Sequence, residues 1–219
     1  MAAGRGARMG ADKVWLPLAD LPVVAHSLKA FGSVVERLVL VVGRERVQHG
    51  LDLVSHLGLP AVVCEGGERR QDSVRKGLDA LGIVDLVAIH DGARPLVNPS
   101  LIESCFRAAE RYGAAVPAVP VRDTVKRSGD GSWIEETVDR EGLWVVQTPQ
   151  VFRLELIREA YERVAGEVTD DAAAAEQAGR RVRLVPGDPW NLKLTVREDL
   201  AVAEALVRAG LLSGGGRVG

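Results

Sequence analysis

The opening MAAGRGARMGADK sets Gly4, Gly6 and Gly10 among the cations Arg5, Arg8 and Lys13. Glycines at this density let the main chain turn sharply and bring its N–H groups close to an anion, while Arg8 and Lys13 can neutralise phosphate oxygens. That is the chemistry of a polyphosphate clamp. A nucleoside-triphosphate loop is excluded by spacing: Ala11 and Asp12 part Gly10 from Lys13, and no Ser or Thr follows the lysine. The dinucleotide fingerprint is excluded too, because Gly4, Gly6 and Gly10 overrun it by one residue and Asp20 comes too early to meet a ribose. Taken alone such a loop is as well explained by a tight turn, so the rest of the chain has to arbitrate.

Two more stretches carry the same kind of chemistry. The apolar run 61–64 is followed by EGGERRQDS, a second glycine loop that feeds a helix and contains Gly67 and Ser73. The run 86–90 is followed by Asp91, Gly92, Ala93, Arg94 and Pro95. In open α/β sheets ligands bind beyond the carboxyl ends of the strands, which is where both stretches fall. A strand-end carboxylate beside an arginine, with two phosphate-type loops nearby, offers the oxygen ligand that a magnesium–nucleotide site needs. Asp91 and Arg94 alone would read as a local ion pair; three loops together favour a site. His90, the last residue of its run, is expected to be packed rather than to act as a base.

The elements that must position these residues follow from hydrophobic spacing. Valine-rich runs at 37–43, 61–64, 86–90, 114–121 and 181–185 read as strands, and helical spacing covers 22–31, 47–57, 71–81 and 99–112. The first and last of these helices open with a proline, which suits the first helical turn. Strand and helix alternation predicts an α/β fold with a parallel sheet covered on both faces. Residues 122–146 break the pattern: they are polar, carry a Ser-Gly-Asp-Gly-Ser turn and have β-favouring flanks, so they read as a long hairpin arm. Trp133 and Trp144 on a projecting arm call for a partner surface; the alternative is an arm folded back so that both rings enter the core.

With 219 residues, 47% of them hydrophobic, and a net charge of −2, the chain suits one domain and shows no general affinity for nucleic acid or an anionic membrane. No apolar run approaches the ~18 residues of a spanning helix, and the N-terminus lacks a signal-peptide pattern. Cys64 and Cys105 are too few for a disulfide framework or a metal knuckle and are expected to be reduced core residues of a cytoplasmic protein. The tail 213–219 is expected to be disordered.

The ordered segments AAGRGARMG with Lys13, GGERRQDSV, HDGARP, PVRDTVK, TVDREGLW, QTPQVF, TDDA and NLKLT span nearly the whole chain. This series resembles the 2-C-methyl-D-erythritol 4-phosphate cytidylyltransferase family of the non-mevalonate isoprenoid pathway. The resemblance implies a single nucleotidyltransferase domain over 1–212, with a Rossmann-like, mostly parallel sheet, helices on both faces and a hairpin dimerisation arm at about 122–146. It also implies CTP and methylerythritol phosphate as substrates, magnesium as cofactor, and a homodimer.

By the same resemblance Ala2, Ala3, Gly4 and Gly6 lie near the CTP base and phosphates, and Arg8, Lys13 and Lys193 are the catalytic cations. Gly67 and Ser73 match the loop that holds the cytosine, and Asp91, followed by Gly92, matches the aspartate at the metal and ribose. Arg94, Thr124, Arg140, Thr148 and Thr169 match substrate contacts, with Thr124 and Arg140 reaching from the arm into the neighbouring subunit's site. The sequence departs from the family's pattern in three ways. The family's apolar strand ahead of Ala2 is missing, so the first central strand of the sheet is expected to be absent; Arg8 and Lys13 are closer together than usual; and Gly92 stands where alanine is common. A cytidylyltransferase for another polyol phosphate, such as ribitol 5-phosphate, and a truncated nucleotide-binding form with little activity are the competing expectations.

Overall fold

The computed structural model describes residues 1–3 and 12–210. A 3-10 turn at Lys13–Trp15 leads to the two-stranded ribbon β1 (Pro17–Leu18) and β2 (Leu21–Pro22), then α1 (Val23–Gly32), β3 (Leu38–Val42), α2 (Val47–His56), β4 (Ala61–Glu65) and α3 (Arg70–Leu81). There follow β5 (Leu86–Ile89), α4 (Pro99–Tyr112), β6 (Ala114–Pro120), β7 (Val125–Arg127), β8 (Glu136–Val138) and β9 (Trp144–Val146). The chain closes with β10 (Gln150–Arg153), α5 (Leu154–Arg163), α6 (Asp171–Gln177), β11 (Arg183–Pro186) and α7 (Arg197–Arg208).

Local chemistry accounts for the best-defined boundaries. Helix α4 starts where Asn98 Oδ1 accepts the Leu101 N–H at 2.8 Å, has Pro99 in its first turn, and stops at Gly113, whose φ of 87° is open to glycine. Its buried face is Leu101, Ile102, Cys105 and Ala109, a helical stripe. The sheet beneath obeys the two-residue period of a strand. Val87 and Ile89 of β5 and Phe152 of β10 face Val74 and Leu78 of α3 and Ile157 and Tyr161 of α5. Leu86, Ala88 and Val151 point the other way, onto Phe31, Ile102 and Cys105 of α1 and α4. Both faces are therefore covered by helices, as the alternation of elements predicts.

The parallel strands expected from the alternation of elements are joined by two antiparallel ones. Strands β3 and β4 pair in parallel, Leu38 opposite Ala61 and Val42 opposite Glu65, and β11 runs parallel to β6. Strand β10, however, lies antiparallel between β5 and β6, and β9 is antiparallel to β6. After the arm the chain returns along one edge of β6 as β9 and then β10, interrupted at the cis Thr148–Pro149 bond. A mixed sheet results. The run QVF is short and its apolar pattern carries no direction, so its strand could not be oriented from spacing.

Met1 and Ala2 form no strand, but they join the two halves of the fold. Ala2 N–H donates to Val41 O at 2.7 Å, forming a parallel bridge to Val42, while Met1 N donates to His90 O at 2.7 Å and Gly92 N–H to Met1 O at 2.8 Å. Beyond Met1 the space between β3 and β5 is an apolar-walled cavity of about 730 Å³, lined among others by Leu28, Phe31, Leu40, Val74 and Ile89.

The hairpin is present as β7 paired with β8, and most of residues 122–145 are exposed. The arm is shorter than expected, because Trp144 sits in β9 and pairs back onto Pro120 of the main sheet. Trp133 is 79% exposed at the tip and Trp144 46% exposed at the base, so neither ring has entered the core. Cys105 is buried and apolar burial pushes its thiol up to about 12, but Cys64 is only half-buried and is not a core residue. Among the described residues no helix is long and apolar enough to cross a membrane. The tail 213–219 lies outside the described residues.

Candidate active site at the strand ends

Strands β3, β4 and β5 end side by side, and their following loops meet. Gly66 N–H donates to Val42 O at 2.8 Å, which fastens the second glycine loop to the end of β3. A Cβ at Gly66 would lie 2.6 Å from the Cβ of Ala3, so glycine there lets Ala3 come close to the second loop. A Cβ at Gly67 would lie 2.4 Å from that of Asp72, and Gly67 N–H donates to Ser73 Oγ at 2.9 Å across the first turn of α3. Ala2, Ala3, Gly67 and Ser73, expected at one nucleotide site from sequence, are brought together. Arg8, Gly4 and Gly6 lie outside the described residues.

Asp91 follows β5 and forms the centre of the cluster. Its backbone N–H donates to Thr148 Oγ1 at 3.1 Å, Thr148 Oγ1 lies 3.0 Å from His90 Nδ1, and His90 Nε2 lies 3.2 Å from Arg94 O. The network assigns the tautomer: Nε2–H donates to the carbonyl and Nδ1 accepts the Thr148 hydroxyl proton, leaving Oγ1 to accept from Asp91. Burial lowers the His90 pKa to about 3, so the ring stays neutral at physiological pH, as its expected packed role requires. Thr148 is itself buried, with its hydroxyl committed inside the protein.

The carboxylate of Asp91 is flanked by two cations. Lys193 Nζ stands 2.7 Å from Oδ2 and Arg70 Nη2 3.6 Å from Oδ1. Burial alone would push this carboxyl up, but Lys193 and Arg70 hold it well below the usual carboxylate range. Lys193 is delivered by a loop that is tied down at several points. Leu194 N–H donates to Ala93 O at 2.8 Å, Arg94 Nη1 to Asn191 O at 2.7 Å, and Asn191 Nδ2 to Thr148 O at 2.8 Å. Arg94, expected to touch substrate, is only 9% exposed and braces the Lys193 loop from within. Gly92, whose N–H binds Met1 O, keeps the turn after Asp91 tight: a Cβ there would stand 3.0 Å from that oxygen.

The remaining expected residues are more dispersed. Lys13, in the 3-10 turn, is near enough to the first turn of α7 for its charge to act on Asp199. There burial pushes the Asp199 carboxyl up, but the N–H groups of Val196 and Thr195 and the charge of Lys13 bring it below its ordinary value. Thr169 is exposed and directly precedes Asp170, the residue that caps α6 by accepting the Ala173 N–H. Thr124 and Arg140 are exposed on the arm, where Arg140 Nη1 donates to Arg122 O. Sequence reasoning missed Arg70, Asp171 and Tyr161, although Arg70 lies in the GGERRQDSV segment and Asp171 in TDDA; nothing in the spacing showed that those segments meet.

For a hard cation the chain offers Asp91. Among the described residues no group of three or more His, Cys, Asp or Glu gathers as a metal cage, and nearby Asp171 is occupied by Arg70. One carboxylate completed by phosphate oxygens and water fits magnesium, which is commonly bound in that way.

A mixed α/β sheet that gathers the Gly66–Gly67 loop, a depressed carboxylate and a lysine beyond its strand ends fits a nucleotide-handling α/β enzyme class. Comparison with known proteins narrows this. The family described as 2-C-methyl-D-erythritol 4-phosphate cytidylyltransferase matches residues 1–209, and the chain belongs to it. A protein of that name from Pelotomaculum thermopropionicum is 47% identical, the match covering 95% of this chain and 92% of that protein. One from Geobacillus kaustophilus is 44% identical, covering 94% of each. Among solved structures, the enzyme of the same name from Thermus thermophilus superposes with a TM-score of 0.80 at 36% identity, covering 94% of this chain and 96% of that one.

Proposed function

We propose that this chain transfers a cytidylyl group from CTP to 2-C-methyl-D-erythritol 4-phosphate, releasing pyrophosphate, in the synthesis of isoprenoid precursors by the non-mevalonate route. The observation that carries this reading is the Asp91–Lys193 pair at 2.7 Å, set beside the Gly66–Gly67 loop in a chain matched over residues 1–209 by the cytidylyltransferase family.

The chemistry is an in-line displacement. A phosphate oxygen of the methylerythritol phosphate attacks the α-phosphorus of CTP; one P–O bond forms as the bond to the β-phosphate breaks, and pyrophosphate leaves with the electron pair. The attacking phosphate is already ionised at neutral pH, so no side chain has to take a proton. That leaves the buried, neutral His90 without a role as base. What the protein must do is hold two polyanions together and stabilise charge growing on the equatorial oxygens. Lys193, Lys13 and Arg8 supply that charge, and the loop of Gly67 and Ser73 receives the base. Asp91 would hold the nucleotide's magnesium ion, which supplies further positive charge to the phosphates.

The arm gives the reading its quaternary part. Trp133 and Ile134 near its tip are 79% and 66% exposed, apolar side chains suited to a second copy of this chain. The working form is a cytoplasmic homodimer in which Thr124 and Arg140 complete the partner's substrate site. Incubation of the purified protein with CTP, magnesium and methylerythritol phosphate, followed by 31P NMR, tests the reaction: the diphosphodiester and pyrophosphate signals should grow together. Ribitol 5-phosphate in a parallel tube should react far more slowly; equal rates would remove the substrate assignment.

A further inference from the structure

Cytidylyl transfer as derived above gives no task to Arg70, Asp171 or Tyr161, yet these residues form the most deeply set ionic group near Asp91. Arg70 Nη1 and Nη2 bind the two carboxylate oxygens of Asp171 at 3.0 and 2.6 Å, a bidentate pair, and Tyr161 O–H donates to Asp171 Oδ1 at 2.5 Å. Asp171 is fully buried, whereas Arg70 keeps a 32% exposed face from which Nη2 reaches Asp91 Oδ1. The three residues come from the starts of α3 and α6 and from within α5.

Stability explains this arrangement only in part: Asp171 suits the first turn of α6, but Arg70 stands at the first position of α3. A cation at the first position of a helix opposes the helix dipole, and a buried ion pair is no better for stability than apolar packing. The clamp does define where the guanidinium points. Lys193, on the other oxygen of Asp91, is 46% exposed on a long flexible stem.

We propose that Arg70 is a positioning residue of the reaction: anchored by Asp171, it holds Asp91 from the Oδ1 side, so that Lys193 can leave Oδ2 for the phosphates when nucleotide binds. Arg70 then remains as the fixed counter-charge on Oδ1, and Oδ2, released by Lys193, is the oxygen that would be open to the nucleotide's metal ion. Without Arg70, Asp91 would retain Lys193 as its partner and withhold it from the reacting phosphates.

This inference rests on the proposed cytidylyl transfer, and the test separates the two. Wild type, Arg70→Gln, Arg70→Lys and Asp171→Asn are assayed for kcat and for KM of CTP. Acetylation of Lys193 by acetic anhydride, measured by mass spectrometry against exposed Lys29, is followed in wild type and Arg70→Gln without substrate. Arg70→Gln should lower kcat by about 30-fold with KM for CTP changed by less than about threefold, and Asp171→Asn by about 10-fold with the same split. Arg70→Lys keeps the charge but cannot form the planar two-nitrogen fork on Asp171 that aims the group at Asp91, and its kcat should fall by about 10-fold, which also serves if Arg70→Gln does not fold. Lys193 should acetylate at least about threefold more slowly in Arg70→Gln. A KM rise of about 10-fold or more at unchanged kcat would make Arg70 a direct phosphate ligand and overturn the proposal. Wild-type kcat in Asp171→Asn, or unchanged Lys193 acetylation in a folded Arg70→Gln, would overturn it as well. If wild type releases no pyrophosphate, the reaction assignment fails, while the acetylation comparison still judges the clamp.

Discussion

The Asp91 centre and the hairpin arm are built in opposite ways. Around Asp91, backbone and side-chain groups of β5, the Thr148 turn and the Lys193 loop satisfy one another within the chain, and the side chains of His90, Thr148 and Asn191 are buried. The arm is held by the three-residue pairing of β7 with β8 and by exposed pairs such as Arg127 with Glu136, and its large apolar side chains face outward. Packing within one copy specifies the centre. The arm has a defined conformation but leaves its large apolar side chains uncovered, and the proposed homodimer would cover them. A densely networked polar site resists local change, whereas an exposed hairpin tolerates it.

Replacing Lys193 should show this contrast most strongly. Lys193→Ala should cut kcat by about 100-fold or more, as expected for losing one cation at a transferring phosphoryl group, with only a modest fall in melting temperature because Arg70 still faces Asp91. Steady-state rates and a calorimetric scan on the same preparation check both halves. A fall in stability without a fall in kcat would place Lys193 in the structural network instead.

Mixing variants sharpens the division of labour. If Arg140 serves the neighbouring subunit's site, subunits carrying Lys193→Ala and subunits carrying Arg140→Ala should regain activity together. With random exchange about half the dimers are hybrids with one intact site of two, so recovery should approach about a quarter of wild type. No recovery after verified exchange would place both residues in the same subunit's site.

His90 gives the centre a pH signature that the arm lacks. Its folded pKa, about 3, lies below the ordinary histidine value, so between those values the unfolded chain binds more protons than the folded one. The resulting stabilisation is complete above about pH 6.5 and is lost progressively as pH falls toward the folded value. The melting temperature should therefore drop between about pH 6 and 4, and His90→Asn should flatten that slope. Asp91 adds its own loss only lower still, because its folded carboxyl lies beneath the usual carboxylate range. An identical slope in the variant would mean that another group dominates acid unfolding.

The smallest change in melting temperature is expected at the arm tip. Trp133→Ser removes a ring that is 79% exposed, so when both proteins are monomeric the melting temperature should move by no more than about 1–2 °C. Sedimentation at micromolar concentration should nevertheless show a weakened dimer. A large thermal loss would reveal that the indole packs against its own chain.

Hydrophobic period and strand-end logic read the positions of β3, β4, β5 and β6 and the whole span of α4, because those elements are long, strongly patterned and bounded by residues such as Asn98, Pro99 and Gly113. The ordered motifs fixed the family, and the strand-end rule singled out Asp91 and the Gly67–Ser73 loop. Other features were out of reach of one-dimensional spacing. The antiparallel course of β10 depends on how the chain returns from the arm, and an apolar triplet carries no direction. Helices α5, α6 and α7 went unread; α6 spans only seven residues and its run of alanines has little periodic contrast. Arg94 has the residue type of a substrate ligand, but its burial beside Asn191 makes it a brace. The meeting of Arg70 with Asp171 spans 101 positions of sequence. Residue types and their order determined what chemistry the chain can perform, while only tertiary packing decided which charges share one carboxylate, because Coulombic and hydrogen-bond energies depend on distances that the fold sets.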